Sequence, residues 1–273
     1  MRPVSALSAV ACALLAGLLL AACAVPPAPL VSAAPRERAT VPDDTPAGQR
    51  ARLRLALATA YYQQGQDTVV LEEIRQALAS DPRLALAWNL RGLVYLRMGQ
   101  WSQAEDSFQQ ALTLSPLDAD IAHNYAWMLC QHPRSLARHE EAAALFHRAL
   151  AQPGLAQAAK TWSALAQCQW RAGRTGQAEL SLRQALRLEP ASPDLGLMLA
   201  QLLYAGGQWQ EAGAQLAELH ARQTGTAESL WLAVKAARKT DNPALERSLG
   251  ARLKNEFGRS VQAAAYDKGL FDE

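Results

Sequence analysis

The chain has 273 residues, and half of them are apolar, which is enough for a sizeable core and excludes a largely disordered polypeptide. Lysine and arginine together number 27 against 25 aspartate and glutamate residues, so the chain is nearly neutral. This balance argues against a nucleic-acid partner, which a strongly basic surface would indicate.

The first 22 residues predict an export signal. Arg2 is the only charged residue before Cys23, residues 4–20 are apolar, and two alanines precede the cysteine. Residues 20–23, Leu-Ala-Ala-Cys, resemble the lipobox of bacterial lipoproteins, which implies cleavage after residue 22 and lipidation of Cys23. Acyl chains on one residue would hold the protein on a membrane. The alternatives are an uncleaved anchor, or ordinary secretion with an incidental cysteine.

The residue after Cys23 bears on the destination of the lipoprotein. Ala24 is not the aspartate that resembles an inner-membrane retention signal, so we expect the outer membrane, on its periplasmic face. Residues 23–48 are predicted to be a lipidated tether without regular structure. This segment is rich in prolines, which favour an extended chain: Pro26, Pro27, Pro29, Pro35, Pro42 and Pro46.

A period of 34 residues runs through the chain from residue 51 onward. It relates residues of the same type in successive blocks: Tyr61 and Tyr95, Gly65 and Gly99, Ala77 and Ala111, Pro82 and Pro116. A repeat of this length indicates a stack of similar units, each of which buries its apolar face against its neighbours. Gly99 is predicted to end a first helix in a left-handed conformation, and Pro116 to end a second.

The repeated residues resemble the signature of the tetratricopeptide repeat. The best match is in the second block: Trp88, Gly92, Tyr95, Ala104, Phe108, Ala111 and Pro116. The resemblance implies an all-α fold, a right-handed solenoid of about six helical hairpins within residues 49–273. The repeats are expected near 51–84, 85–118, 119–158, 159–192, 193–226 and 227–260, and the sixth is expected to cap the stack.

The first helices of such a solenoid are expected to line its inner surface, where partners bind. In the first two repeats the inward positions are mostly apolar: Leu55, Thr59, Tyr62, Leu86, Asn89, Leu93 and Leu96. These seven residues are predicted to form a groove for the apolar side of an amphipathic helix or strand. The alternative is that the tether, or packing between helices, covers them.

Two cysteines remain in the folded part of an exported chain. Cys130 and Cys168 are predicted at similar heights on the first helices of repeats three and four, which run side by side. We therefore predict a disulfide between them, and two buried free thiols are the alternative.

The sequence contains no pattern of catalytic residues, and we predict that the chain is not an enzyme and takes no cofactor, metal or small-molecule substrate. It contains no phosphate-binding glycine loop and no His-Glu-x-x-His helix. Four histidines near Cys130 have no metal-ligand spacing and are predicted to be solvated: His123, His132, His139 and His147.

The order of lipobox, proline-rich spacer and about six repeats resembles the type IV pilus biogenesis and stability lipoproteins of the PilF/PilW family. Similar stretches are residues 89–93 (Asn-Leu-Arg-Gly-Leu), 124–130 (Asn-Tyr-Ala-Trp-Met-Leu-Cys) and 229–232 (Ser-Leu-Trp-Leu). The resemblance implies a lipid-anchored protein that binds the type IV pilus secretin subunit and promotes its assembly or localisation. The alternative is a general periplasmic scaffold lipoprotein that recruits cell-wall or envelope assembly factors.

Overall fold

The folded part of the chain consists of helices arranged in antiparallel pairs. The computed structural model describes residues 45–132, 135–222 and 225–271, without the side chains of residues 135 and 136. Across these ranges there are α-helices and one short 3-10 helix but no strand, as the all-α prediction requires. The predicted export signal, Cys23 and the tether as far as residue 44 lie outside the described residues.

Six hairpins follow one another in the order of the predicted repeats, which confirms the solenoid. They are α1 (Pro46–Gln63) with α2 (Asp67–Ser80), α3 (Ala85–Arg97) with α4 (Trp101–Leu114), α5 (Ala119–Gln131) with α6 (His139–Leu150), α7 (Ala158–Arg171) with α8 (Thr175–Leu188), α9 (Pro193–Ala205) with α10 (Trp209–Arg222), and α11 (Ala227–Lys239) with α12 (Pro243–Phe257). A last helix, α13, spans Val261–Lys268. None of these helices is long and apolar enough to cross a bilayer.

The first helix begins inside the range predicted as tether. Pro46 is its first residue, and the Thr45 hydroxyl accepts a hydrogen bond of 3.0 Å from the Gly48 amide. Proline suits this position because its missing amide hydrogen would have no partner there, and threonine is a favourable N-cap. The predicted boundary at residue 48 therefore lies too far along the chain.

A residue with positive φ separates the two helices in most hairpins. Glycine occupies this position in four of them: Gly65, Gly99, Gly173 and Gly207, with φ of 74°, 70°, 74° and 79°. After α3, the Gln100 amide donates to the Tyr95 carbonyl at 2.8 Å, which satisfies a free carbonyl at the helix end. In the sixth hairpin, Asp241 takes the same place with φ of 52°.

A large side chain recurs in the cores of the hairpins, at the eighth residue of the second helix. In the first five hairpins this side chain is fully buried: Ile74, Phe108, Phe146, Leu182 and Leu216. Gly92 makes room for the second of them, because a Cβ there would lie 2.8 Å from Cε1 of Phe108. Close packing of small against large residues thus joins the two helices of a hairpin.

The sixth hairpin departs from this pattern and is covered by α13. Its second helix has Gly250 at the eighth position, and a Cβ there would lie 2.1 Å from Cζ of Tyr266 in α13. The Phe271 ring stacks on Trp231 with 5.3 Å between centroids. The expectation that the sixth hairpin is itself the cap is therefore incomplete, because α13 and Phe271 fill the space that a seventh hairpin would occupy.

The connection inside the third hairpin, residues 132–138, is longer than those inside the other five hairpins. It contains the 3-10 helix Ser135–Arg138, and Arg138 forms ion pairs with Glu105 at 2.7 Å and with Glu141 at 2.8 Å. Glu105 belongs to α4, so this arginine ties the lengthened connection to the preceding hairpin.

Candidate functional site

The seven residues of the predicted groove lie on α1 and α3, the first helices of the first two hairpins. First helices of successive hairpins contact each other, so α1 and α3 form one continuous layer. The seven side chains differ in exposure. Leu86 is 49% exposed and Thr59 is also exposed. Leu55, Tyr62, Leu93 and Leu96 are half-buried, whereas Asn89 is only 9% exposed.

Packing between helices covers a large part of this predicted groove. Leu55, Tyr62 and Leu93 contact the core shared by the first two hairpins. Leu93 and Leu96 also contact the core of the second and third hairpins. The Asn89 side-chain oxygen accepts a hydrogen bond of 3.2 Å from Asn124 of α5. The accessible apolar surface is therefore smaller than the sequence pattern suggested, and Leu86 is its most exposed member.

One end of this surface is fixed by Arg97, at the carboxyl end of α3. Its guanidinium carbon lies 3.9 Å from the centroid of the Tyr62 ring, and its Nη1 donates to the Tyr62 carbonyl at 2.9 Å. The other nitrogen forms an ion pair with Asp67 at the start of α2. The cation–π contact with Tyr62 and the ion pair with Asp67 therefore join the second hairpin to the first.

Sequence reasoning missed further exposed apolar side chains in the same two hairpins. Leu53 is 71% exposed and Leu57 is exposed as well, and both lie on one face of α1 because they are four residues apart. Val69 and Met98 are also exposed, and so is Leu117 in the connection between α4 and α5. A helical period shows that Leu53 and Leu57 share a face but not that this face is exposed, and among the described residues no hairpin precedes α1 to cover it.

A separate cavity opens between α2 and α3, away from the seven predicted residues. It has a volume of about 580 Å³ and is lined by Leu71, Leu78, Trp88, Arg91 and Tyr95, among others. Arg91 lies 4.4 Å from the Trp88 ring centroid and donates to the Ser107 hydroxyl at 3.0 Å. Trp88 donates in turn to the Pro82 carbonyl at 2.9 Å. These contacts order the cavity wall.

The structure brings Cys130 of α5 and Cys168 of α7 together, and joins them in a disulfide with Cα atoms 5.6 Å apart. Both cysteines are buried. His139, the first residue of α6, lies beside them, and the ligating atoms of the three residues are all within 4.8 Å of one another. The three residues are called the Cys–His cluster below.

The prediction that four histidines are solvated is wrong for two of them. His139 is only 4% exposed, and neither of its ring nitrogens has a hydrogen-bond partner among the described residues. His123 is also buried and its Nδ1 lies 3.0 Å from the Thr161 hydroxyl. The 3-10 helix sets where α6 begins, and the spacing of residues in the sequence does not show that this places His139 beside the cysteines.

His123 should make the protein less stable in acid. Burial lowers the pKa of His123 from 6.5 to about 4, and the positive charge of Lys160 contributes in the same direction. Between these pH values the unfolded chain binds a proton that the folded chain does not, so stability is fully present above pH 6.5 and is lost as the pH falls toward 4. The expected loss is on the order of 3 kcal/mol.

Urea unfolding at pH 7.5 and pH 4.5 measures this effect. We expect His123→Gln to have a smaller pH dependence than the unchanged protein, whereas His147→Gln, at an exposed position on α6, should keep the full dependence. Equal pH dependence in all three proteins would contradict the assignment to His123.

Comparison with known proteins agrees with this architecture. Models of the tetratricopeptide repeat match residues 85–117, 134–193 and 170–237. The type IV pilus assembly protein PilF of Pseudomonas aeruginosa is 24% identical over 209 residues, which are 76% of this chain and 81% of that protein.

Two solved structures are similar along most of the chain. PilW, described as a widely conserved type IV pilus biogenesis factor, superposes with a TM-score of 0.68 and 29% identity, over 80% of this chain and 98% of that one. The structure of Pseudomonas aeruginosa pilF superposes with a TM-score of 0.67 and 21% identity, over 82% of this chain and all of that one.

Proposed function

We propose that this protein acts in type IV pilus biogenesis as an outer-membrane lipoprotein that binds the pilus secretin subunit. The chain belongs to the tetratricopeptide-repeat proteins of the PilF/PilW family. Proteins of this family are scaffolds for protein interaction and not enzymes, so the chain functions through a docking surface. The relation to PilF and PilW is the observation that carries the assignment to pilus biogenesis.

The docking surface is assigned to the first two hairpins. Exposed apolar side chains are concentrated there, with Leu86 on the inner layer and Leu53 on the free face of α1. Apolar surface exposed to water is unfavourable, and a partner that covers it gains the free energy of its burial. The occupant that suits such a surface is the apolar face of an amphipathic helix or strand of the secretin subunit.

The membrane attachment is assigned to the lipid on Cys23. This part of the proposal depends on the sequence of the leader, residues 1–22, and on the small residues before the cysteine. In the proposed mechanism the docking surface holds the secretin subunit, and the lipid carries or retains the complex at the outer membrane, where the secretin multimer forms.

Replacing Leu86 by glutamate should weaken secretin binding about tenfold or more, which corresponds to roughly 1.4 kcal/mol. The reason is that a carboxylate would be buried without a partner under an apolar face. Titration calorimetry with the purified secretin subunit measures the change. Leu86 is a better position than Leu93 or Leu96, because those two side chains also contact the core and their replacement would disturb folding.

The matched control is Leu180→Glu, which introduces the same charge at an exposed leucine on α8, far along the solenoid from the first two hairpins. It should bind the secretin subunit as the unchanged protein does. Equal binding by Leu86→Glu and the unchanged protein would remove the first two hairpins from the proposal.

Replacing Cys23 by alanine should remove the lipid and leave the folded domain intact. We expect the protein to leave the outer-membrane fraction and the amount of heat-resistant secretin multimer to fall several-fold, while binding of the purified domain to the secretin subunit stays unchanged. Membrane fractionation and immunoblotting measure the first two quantities. Normal multimers and normal piliation in this variant would contradict the anchoring role.

A further inference from the structure

The Cys–His cluster has the side chains of a metal site as well as those of a disulfide. The sulfurs of Cys130 and Cys168 and a ring nitrogen of His139 all lie within 4.8 Å of one another. Each of the three comes from a different helix of two adjacent hairpins, namely α5, α7 and α6. All three residues are buried, with exposures of 1%, 1% and 4%.

The imidazole of His139 makes no hydrogen bond in the disulfide form among the described residues. Neither ring nitrogen finds a partner among the described residues, although the side chain is almost fully buried. A buried polar group without a hydrogen bond is unfavourable, and such groups in folded proteins are often explained by a redox role or by an ion. A second chemical state of the cluster, in which His139 has a partner, removes this conflict.

We infer that, when the disulfide is reduced, Cys130, Cys168 and His139 bind one Zn²⁺ ion. Zinc binds thiolate sulfur at about 2.3 Å and imidazole nitrogen at about 2.0 Å, with three protein ligands when a fourth position is left open. Tetrahedral bonds of this length place two sulfurs about 3.8 Å apart, compared with about 2.05 Å in a disulfide. The two sulfurs must therefore move apart when the ion binds, by rotation of the cysteine side chains.

Charge favours a divalent ion over a monovalent one at this position. Two thiolates and Zn²⁺ have no net charge, and a neutral complex suits a site from which water is largely excluded. Thiolate and imidazole are also ligands that select zinc over hard cations such as Mg²⁺ and Ca²⁺. Among the described residues, no fourth cysteine, histidine or carboxylate joins the cluster.

Conversion of the disulfide to two thiols requires a two-electron reductant, such as a dithiol or a phosphine. The S–S bond breaks, each sulfur takes up one electron and one proton, and the reductant loses two electrons. When Zn²⁺ binds, the two thiols release their protons to solvent and the neutral imidazole supplies its lone pair. This inference is independent of the proposed role in pilus biogenesis, since it concerns only the third and fourth hairpins.

The experiment uses the full chain with Cys12→Ser and Cys23→Ser, so that Cys130 and Cys168 are its only cysteines. The protein is reduced with a phosphine, freed of reductant without oxygen, and titrated with Co²⁺ as a spectroscopic probe. We expect one Co²⁺ per chain, with a thiolate-to-cobalt charge-transfer band and the visible bands of a tetrahedral ion, and displacement by Zn²⁺. The oxidised protein should give no such band.

Two variants in α6 distinguish a zinc ligand from a histidine of the same helix that does not bind zinc. His139→Gln should lower the Zn²⁺ affinity by more than about tenfold. Mutation of residues that only contact the ligands of a metal already lowers its affinity by about tenfold or more, so loss of a ligand should cost at least as much. His147→Gln, at an exposed position of the same helix, should bind Zn²⁺ normally. Unchanged affinity in His139→Gln, or no charge-transfer band in the reduced unchanged protein, would overturn the inference.

A further measurement avoids any dependence on the variants folding. X-ray absorption at the zinc edge of the reduced, zinc-loaded protein should show two sulfur ligands and a histidine nitrogen. A ligand set without sulfur, or with no imidazole, would overturn the assignment to the Cys–His cluster.

Discussion

Replacing Phe108 by alanine should lower the free energy of unfolding by about 3 to 5 kcal/mol. The Phe108 ring is fully buried, lies against the backbone of Gly92, and stacks on Tyr125 with 6.0 Å between ring centroids. Neither Gly92 nor the neighbouring helices can fill the space that the ring would leave. The change should therefore create a cavity where the second and third hairpins meet.

Urea denaturation followed by circular dichroism measures this loss. Leu117→Ala is the control, because Leu117 is exposed between α4 and α5, and a surface substitution of this kind changes stability by about 0.5 kcal/mol or less. Similar midpoints for the two variants would contradict the position of Phe108 at the centre of the hairpin core.

Replacing both Cys130 and Cys168 by serine should lower the free energy of unfolding by about 4 kcal/mol in the chain-entropy treatment. The two residues are separated by 38 positions, so the bond closes a loop that contains the second half of the third hairpin and the first half of the fourth. Without the bond, the unfolded chain gains conformational freedom and the folded chain loses the link between α5 and α7.

The covalent state is established first by intact mass and alkylation of the unreduced protein. We expect neither cysteine of the pair to react with an alkylating reagent until a reductant is added. The reduced, metal-free unchanged protein is the matched control for the serine variant, and the two should unfold at similar urea concentrations. Two reactive thiols in the unreduced protein would contradict the disulfide.

The order of helices was predictable because the repeat fixes both turns and cores. Gly99 ends α3 with positive φ, and the eighth position of each second helix holds a large buried residue from Ile74 to Leu216. Each of these features depends on contacts within a hairpin or between adjacent hairpins. A period in the sequence therefore carries most of the information needed to place them.

The end of the solenoid was less predictable, because the last hairpin does not keep the packing pattern of the other repeats. Gly250 stands at the large-residue position of the sixth hairpin, and Leu253 is fully buried three residues later. The missing volume is supplied by Tyr266 from α13, which has no equivalent in the other hairpins. A period cannot indicate which side chain from outside the repeat fills such a gap.

Candidate site residues were predicted with less success for a related reason. The seven predicted residues lie on α1 and α3, but contacts across hairpins decide how much of each side chain remains accessible. Asn89 is covered through its bond with Asn124, while Leu86 stays exposed. The burial of His139 beside the cysteines depends on the path of the 3-10 segment, which has no counterpart in the other hairpins as far as they are described.

The bond between α5 and α7 also sets how the protein would respond to a tensile load. Pulled from its two ends, a stack of hairpins opens one unit after another and extends by about 3.5 Å for each residue released. The 38-residue interval between the two sulfurs cannot be drawn out while the bond is intact, which withholds about 130 Å of contour length. A chain with this bond would therefore extend less, by this length, than a chain in which both cysteines are reduced.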